Sequence, residues 1–181
     1  MKMKFGYCIL YLVFNFPDYV KFTPPQSRPM KEAKKPKYYV KESKVHGRGV
    51  FAAKNIKKGK KIIEYTGEII SWDEADDRFE DKGDHSHTMF FSIEGNRVID
   101  GNVNGSEARF INHSCAPNCE AVEKKGRVFI YAKKKIKQDE ELFYDYMLIY
   151  EGKITKKVLK KYACFCGSKK CRGTQLDLDN K

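Results

Sequence analysis

A chain of 181 residues is long enough to fold as one domain with extensions and to bury a proper core. Hydrophobic residues make up 41% of the chain and aromatic residues 13%, which excludes an intrinsically disordered protein. The formal net charge of +12 comes largely from lysine, and it favours either a solvated basic surface or contact with nucleic-acid phosphates.

Residues 1–37 are predicted to form an N-terminal extension and linker. The apolar run at 5–16 follows a basic start, but no small-x-small cleavage site comes after it, which argues against a secretory signal peptide. The run is also too short to span a membrane, so we expect a strand or helix packed on the domain, or an extension upstream of the true start. The segment 23–36, rich in proline and lysine, is typical of a linker.

Short β-branched and aromatic runs, separated by glycine and lysine, predict a mainly β domain at 38–148. Its early strands are predicted at 39–40, 49–52, 61–65 and 68–70. Ser71 and Glu74 form a capping box, which predicts a short helix at 72–81. The later predicted elements are a loop at 83–87, hairpins of 88–93 with 97–100 and of 120–123 with 127–132, a helical turn at 104–108, a strand at 142–144 and a helix at 154–162.

Three of the six cysteines stand close together in the C-terminal part of the chain, at Cys164, Cys166 and Cys171. Their spacing, Cys-x-Cys-x4-Cys, is too tight for three separate disulfides and indicates metal ligation. A thiolate site suggests a reducing compartment. Cys8 and Cys119 are expected to be buried or free thiols.

Five short motifs follow one another along the chain and end in these cysteines. They are His46-Gly47-Arg48-Gly49-Val50-Phe51-Ala52, Glu64-Tyr65-Thr66-Gly67-Glu68, Arg109-Phe110-Ile111-Asn112-His113-Ser114-Cys115-Ala116-Pro117-Asn118-Cys119, Asp139-Glu140-Glu141-Leu142-Phe143-Tyr144-Asp145-Tyr146 and Cys164-Phe165-Cys166-Gly167-Ser168-Lys169-Lys170-Cys171-Arg172. In this order they resemble the SET domain with its post-SET zinc motif, the catalytic module of protein lysine methyltransferases. The resemblance covers about 38–176 and is greatest to the trithorax-type enzymes for the histone H3 tail.

The resemblance implies several small sheets, a pseudoknot in which the Asn-His segment is threaded under a neighbouring loop, and short helices. The SET domain would occupy 38–148, and a connecting helix with the zinc-bound post-SET motif would occupy 149–176, before a tail at 177–181. Cys115 would be the fourth ligand of a structural zinc ion, which would close the post-SET segment over the cofactor.

The resemblance also implies a pocket for S-adenosylmethionine. Its residues would be His46, Gly47, Arg48, Gly49, Met89, Arg109, Asn112, His113 and Phe165. Without the motifs, the Gly-x-Gly would indicate only a turn, and Asn112 and His113 would be a turn asparagine and a core histidine. Trithorax-type relatives carry a tyrosine where this chain has Met89, so one cofactor contact would lack its hydroxyl.

The aromatic residues Tyr65, Phe91, Tyr144 and Tyr146 would form the lysine channel, with the three tyrosines as catalytic residues. Without the motifs, these residues would be interpreted as aromatic side chains of a β core. Tyr146 aligns with the catalytic tyrosine of the family. Tyr144 stands at the family's product-specificity position, where a tyrosine favours mono- or dimethylation over trimethylation.

The implied function is transfer of methyl groups from S-adenosylmethionine to lysine on a histone H3 tail, in the nucleus or chromatin, or in a host nucleus if the protein is a microbial effector. Two alternatives stay open: a methyltransferase for a non-histone protein, and an inactive SET module that binds chromatin. The basic surface favours contact with nucleosomal DNA. The acidic segment at 70–90 suits a basic tail peptide or is an exposed polar helix. The sequence does not predict the oligomeric state.

Overall fold

The structure is a computed structural model that describes residues 36–81 and 89–179, with the side chains of 80 and 81 left out. All of these residues belong to one compact unit, Lys35–Lys181. The predictions for the apolar run 5–16, the linker up to residue 35, the loop 83–87 and Cys8 lie outside the described residues, as do those for the acidic side chains of Glu80, Asp81 and Asp84.

Short strands dominate the described residues, as the sequence predicts. The strands are β1 Tyr38–Glu42, β2 Arg48–Ala52, β3 Lys61–Tyr65, β4 Glu68–Ser71, β5 Phe90–Ile93, β6 Arg97–Asp100, β7 Asn112–His113, β8 Cys119–Lys124, β9 Arg127–Ala132 and β10 Phe143–Tyr144. The helices are α1 Trp72–Asp81, a 3-10 helix Glu107–Phe110 and α2 Lys156–Lys161. Four small sheets result, β1-β2, β3-β9-β8, β4-β6-β5 and β10-β7, and they confirm the mainly β fold class.

Two hairpins form where the turn residues predict them. β5 and β6 are joined through Gly95 and Asn96, with φ of 78° and 55°, and β8 and β9 through Lys125 and Gly126, with φ of 54° and 72°. Positive φ at both central residues is the geometry of a tight turn whose twist matches that of paired strands. These local turns set the register of both sheets.

The acidic helix α1 begins at the predicted cap and is fixed by an arginine. The hydroxyl of Ser71 accepts a hydrogen bond from the N–H of Glu74 at 3.2 Å. Arg78 in the last turn pairs with Glu74, with Glu68 at 2.9 Å and with the buried carboxylate of Asp100 at 2.8 Å. The helix is therefore tied to β4 and β6 by charge as well as by its apolar face.

Three elements differ from the predictions. Strands β7 and β10 pair in parallel. Strand β7 was not predicted, because parallel strands are not joined by a hairpin turn that the sequence could indicate. The helical turn is a 3-10 helix at Glu107–Phe110 rather than at 104–108. Helix α2 begins later than predicted, because the Thr155 hydroxyl accepts from the N–H of Val158 at 3.3 Å and caps it there.

The core lies against the sheet β3-β9-β8 and includes fully buried side chains from distant parts of the chain. Val50, Ile130, Ile136 and Leu142 each have no exposed surface. Among the described residues, no helix is long and apolar enough to cross a membrane. Strands β2, β7 and β10, which contain several of the predicted site residues, therefore pack on this core.

Candidate active site

The parallel pair β7-β10 brings two of the predicted motifs side by side. Asn112 lies opposite Phe143 and His113 opposite Tyr144, and the N–H of Ser114 donates to the carbonyl of Tyr144 at 3.2 Å. The buried side chain of Asn118 fixes β10 from the other side, since its Oδ1 accepts from the N–H of Phe143 at 2.8 Å. Both segments are therefore held at one place in the core.

All four predicted channel residues form one continuous row of rings. The ring centroids of Tyr65 and Phe91 are 5.3 Å apart, those of Phe91 and Tyr144 6.2 Å, and those of Tyr144 and Tyr146 5.0 Å. A cavity of about 280 Å³ opens on the last three of these residues. The row offers an apolar wall along which a lysine side chain could lie, with ring faces for its amine.

The tyrosine hydroxyls of this row are protonated donors. Burial raises the pKa of Tyr65, Tyr144 and Tyr146 above that of a free phenol. The Tyr65 hydroxyl donates to the carbonyl of Met89 at 2.6 Å, and the Tyr146 hydroxyl donates to the carbonyl of Ile111 at 2.9 Å. These groups can orient a ligand, but they cannot act as phenolate bases near neutral pH.

Asn112 gathers a set of oxygen acceptors beside the row. Its amide nitrogen donates to the carbonyls of His46 and Arg48, both at 3.1 Å, and to the carboxylate of Glu141 at 3.0 Å. Gly47 has a φ of 45°, and a Cβ on Gly49 would collide with the Glu141 carboxylate. Glycine is therefore favoured at position 47 by its positive φ, and at position 49 by the close approach of the Glu141 side chain.

The acceptors around Asn112 are two carbonyls and one carboxylate, and all three lie within hydrogen-bond distance of its amide nitrogen. The ring of Phe165, another predicted cofactor residue, is 78% exposed. The sequence prediction did not include Glu141, although its place in the motif before Leu142 was the signal that could have found it.

The remaining predicted cofactor residues have supporting contacts. Arg109 donates to the carbonyls of Gly101 at 2.9 Å and Gly105 at 3.0 Å. The guanidinium of Arg48 lies 3.7 Å from the ring centroid of Phe110. The Met89 side chain packs against the core, so this residue meets the site through its carbonyl.

The His113 ring lies between the aromatic row and the cysteines. Its Nδ1 accepts from the N–H of Tyr146 at 3.2 Å, and its Nε2 is 3.4 Å from the Sγ of Cys115. Burial lowers its pKa to about 4, with Asp145 opposing and Arg172 reinforcing the effect. The ring is therefore neutral at pH 7, and because Nδ1 accepts, its proton is on Nε2 and faces the sulfur. A direct role of His113 toward a cofactor stays a prediction.

Four cysteines from distant parts of the chain meet, as predicted. The Sγ atoms of Cys115, Cys164, Cys166 and Cys171 all lie within 4.8 Å of one another, and Cys115 is 3.7 Å from Cys164 and 4.0 Å from Cys171. Tetrahedral thiolates on zinc lie about 3.8 Å apart, given Zn–S bonds of about 2.3 Å. None of the four forms a disulfide. The geometry fits a metal ion with four sulfur ligands.

The cysteine cluster also favours the ionised form of one thiol. Burial opposes ionisation of Cys166, but the backbone N–H groups of Ser168 and Cys115 lower the pKa of its thiol to about 6. The N–H of Gly173 points at the Sγ of Cys171 at 3.4 Å. Backbone donors around the sulfurs are the second shell that a thiolate metal site needs.

Comparison with known proteins gives a consistent result. Residues 47–147 match the family described as SET domain. The "Histone-lysine N-methyltransferase trithorax" of Drosophila virilis is 40% identical over 152 residues, which cover 80% of this chain and 4% of that protein. The "Histone-lysine N-methyltransferase, H3 lysine-4 specific" of Schizosaccharomyces pombe is 39% identical over 148 residues, which cover 78% of this chain and 15% of that protein.

A solved structure is also similar. It is described as "ctPRC2 in an autoinhibited conformation bound to S-adenosylmethionine", and the match has a TM-score of 0.57 and 32% sequence identity. The match covers 61% of this chain and 15% of that chain. This chain thus spans only a small part of the length of each of these relatives.

Proposed function

Since this chain belongs to the SET domain family, we propose that it is a protein-lysine N-methyltransferase that uses S-adenosylmethionine. The observation that carries the proposal is the row of four aromatic rings, in which the Tyr146 hydroxyl donates to the carbonyl of Ile111, the residue before Asn112. The names of the similar proteins, histone-lysine N-methyltransferases, and the bound S-adenosylmethionine of the similar structure support the same reaction.

The cofactor would lie between the His46–Gly49 loop, Asn112 and the exposed Phe165. The carbonyls of His46 and Arg48, with the Glu141 carboxylate, would accept hydrogen bonds from its ammonium group, and Phe165 would cover its adenine. When bound, S-adenosylmethionine would supply a sulfonium methyl group as the electrophile. Arg109 would support this site from behind through its two carbonyl contacts.

The lysine must be neutral to react. A free lysine has a pKa of about 10.4, so deprotonation at pH 7 costs roughly 4–5 kcal/mol. The apolar walls formed by Tyr65, Phe91, Tyr144 and Tyr146 would lower that pKa by desolvation, and the proton would leave through water. The nitrogen would then form the new C–N bond as the C–S bond breaks, while the channel holds it in line.

Each tyrosine would have a distinct role in the channel. Tyr146 and Tyr65, whose hydroxyls are held by backbone carbonyls, would orient the amine and the methyl group in transfer. Tyr144 would limit the space around the amine, so that the product is mono- or dimethyllysine. None of the four channel side chains can serve as a base near neutral pH. Water is therefore proposed to accept the proton of the lysine.

We propose zinc as the metal at the four cysteines. Four thiolates in a closed tetrahedral set are the ligands of structural zinc sites, which have no open position for catalysis. The ion would then hold the post-SET segment against the domain, with His113 beside its Cys115 ligand. Substitution of zinc by cobalt would give the visible absorption of a tetrahedral thiolate complex, whereas an octahedral spectrum would contradict the assignment.

The proposed substrate is the tail of histone H3, which places the protein on chromatin. Several similar proteins bear names that specify lysine 4 of H3. Helix α1 exposes Asp73, Glu74, Asp76 and Asp77 beside β4, and such an acidic surface would attract a basic peptide.

The decisive experiment is a methylation assay with labelled cofactor on free histones, nucleosomes and a lysate, followed by peptide mapping. The expected label is on the H3 tail, and it should be lost from H3 peptides in which lysine 4 is replaced by arginine. Label on another protein alone would favour a non-histone substrate. Chromatin binding without any transfer would mean an inactive SET module.

We also propose that nucleosomal DNA contacts a basic groove on α2, of about 730 Å³ and lined by Tyr150, Lys153, Lys157, Lys160 and Lys161 among others. Lys153, Lys157 and Lys160 form no ion pair with any carboxylate in the described part of the chain. Charges left uncompensated in this way are suited to phosphates.

Replacing Lys153, Lys157 and Lys160 together by glutamine should make the slope of log affinity for nucleosomes against log salt shallower by about 3. The matched control replaces three exposed lysines elsewhere, Lys57, Lys58 and Lys60, and should leave the slope nearly unchanged. Equal effects of the two triple variants would contradict a specific groove.

A further inference from the structure

Asp145 stands between the two channel tyrosines Tyr144 and Tyr146, and its carboxylate controls the backbone there. Its Oδ1 accepts a hydrogen bond from the N–H of Met147 at 3.2 Å. Met147 has a φ of 49°, in the left-handed region that non-glycine residues seldom adopt. The chain therefore turns sharply just after Tyr146, and the Asp145 carboxylate stabilises that turn.

Arg172, the residue after Cys171, pairs with this carboxylate. It lies in the C-terminal stretch 164–176, which is called the cysteine segment below. Its Nη1 lies 2.5 Å from Oδ2 of Asp145, and its Nη2 lies 2.7 Å from Oδ1. The same guanidinium donates to the carbonyls of Leu176 at 3.0 Å and Gln175 at 3.3 Å. Only a planar fork can make this set of contacts, so a lysine would keep the charge but lose the geometry.

The path of the Arg172 backbone depends on the cysteines. Arg172 is 27 residues from Asp145 along the chain, and it directly follows a thiol of the four-sulfur cluster. Helix α2, which leads into the cysteines, has no buried residues. Leu176 is the one buried apolar side chain in the described residues 149–179, so metal binding by the four thiols would be a further constraint on the segment that carries Arg172.

His113 makes a second connection between the same two regions. Its Nε2 faces the Sγ of Cys115 at 3.4 Å, while its Nδ1 holds the N–H of Tyr146 at 3.2 Å and lies 3.5 Å from Oδ1 of Asp145. Tyr146, the residue proposed to orient the amine, is thus linked to the four-cysteine cluster in two ways. His113 contacts Cys115, and Asp145 pairs with Arg172, which follows Cys171.

We propose that Arg172 is a positioning residue for methyl transfer. Through Asp145 it sets the turn that follows Tyr146, so the position of Arg172 in the cysteine segment affects the lysine channel. This inference rests on the proposed function, and it adds that the Arg172–Asp145 pair acts on the rate of transfer. Neither Arg172 nor Asp145 needs to touch the substrate for this effect.

The first test is kinetic. Arg172→Lys, loaded with metal, should keep its metal content and lower kcat by at least about tenfold, with the KM for an H3 peptide changed by less than about threefold. Asp145→Asn leaves the cysteine segment untouched, so it tests the same pair if Arg172→Lys fails to bind metal. The double variant should be no slower than the slower single variant by more than about twofold, because the pair acts as a unit.

A matched control exists in the same domain. Arg127 forms the same kind of forked pair with Glu64, at 2.7 and 2.6 Å, between β9 and β3. Arg127→Lys should leave kcat within about twofold of the wild type. An Arg172→Lys enzyme with wild-type kcat, or an equal loss in both arginine variants, would overturn the proposal.

The second test does not depend on activity. In the wild type, chelation of the metal should speed amide hydrogen exchange in peptides that contain residues 143–148. In metal-loaded Arg172→Lys and Asp145→Asn, the same peptides should already exchange fast, whereas Arg127→Lys should resemble the wild type. Exchange rates in these peptides that change neither on chelation nor in these variants would refute the coupling. If the exchange pattern holds while the wild type methylates no substrate, the coupling stands and the proposed enzymatic function fails.

Discussion

The lysine channel and the cysteine segment are adjacent in space but differ in what holds them together. The side chains of the proposed channel come from β3, β5, β10 and the turn that follows β10, and they pack on a core that includes Val50 and Leu142, both fully buried. In the described residues of 149–179, only Thr174 and Leu176 are buried. Hydrophobic packing therefore shapes the proposed channel, whereas the proposed sulfur ligation and the Arg172–Asp145 pair would hold the cysteine segment.

The strongest way to separate the two regions is to remove the metal. Cys171→Ser, or chelation of the wild type, should reduce the rate of methyl transfer by more than about 100-fold. The reason is that metal binding at a four-thiolate site provides the folding energy of its segment. The far-ultraviolet circular dichroism of the β domain should persist. Activity and metal content are measured together, and a Cys171→Ser protein that retains both would refute the zinc assignment.

A substitution in the core should instead lower the stability of the whole domain. Leu142→Ala should destabilise the domain by about 2–5 kcal/mol, since it empties a fully buried position. Leu159→Ala on α2 is the matched control, because this side chain is 37% exposed and its loss should cost less than about 1 kcal/mol. Urea unfolding of both variants with metal bound is the measurement. Similar losses would show that packing holds the segment as firmly as the core.

The Tyr146 hydroxyl tests the chemistry of the channel itself. Tyr146→Phe should reduce methyl transfer by at least about tenfold, about 1.4 kcal/mol, because it removes a donor that is held by the Ile111 carbonyl. Cofactor affinity, measured by calorimetry, should change little. Tyr131→Phe is the control, since this hydroxyl contacts Lys124 on the exposed face of β8-β9. Full activity of Tyr146→Phe would refute its assignment.

The smallest expected effect concerns the product rather than the rate. Tyr144→Phe should shift exhausted reactions toward higher methylation, because loss of the hydroxyl leaves room for a larger amine. The total rate should stay within about threefold, since the apolar wall is kept. Mass spectrometry of the product peptide distinguishes the states. A wild type that already yields mainly trimethyllysine would contradict the role of Tyr144.

Local elements could be predicted because their causes are local. The strands at Lys61–Tyr65 and Arg127–Ala132, the helix Trp72–Asp81 and both hairpin turns follow from residue type, a capping serine and residues that accept positive φ. The four-cysteine cluster could also be predicted, through the order of the motifs. Each of these features depends on residues within a short stretch of sequence or on a recognisable series of such stretches.

By itself, then, the sequence determined the mainly β class and the four cysteines available to a metal, and it predicted most of the side chains proposed for the site. Only the tertiary structure decided that β7 runs parallel to β10, that Glu141 joins Asn112 at the acceptor cluster, and that Arg172 reaches Asp145. These contacts join residues far apart in the chain and have no periodicity or turn to mark them. They arise when the buried core fixes the paths of separate segments, and a polar group in that setting is stable only where it finds a partner.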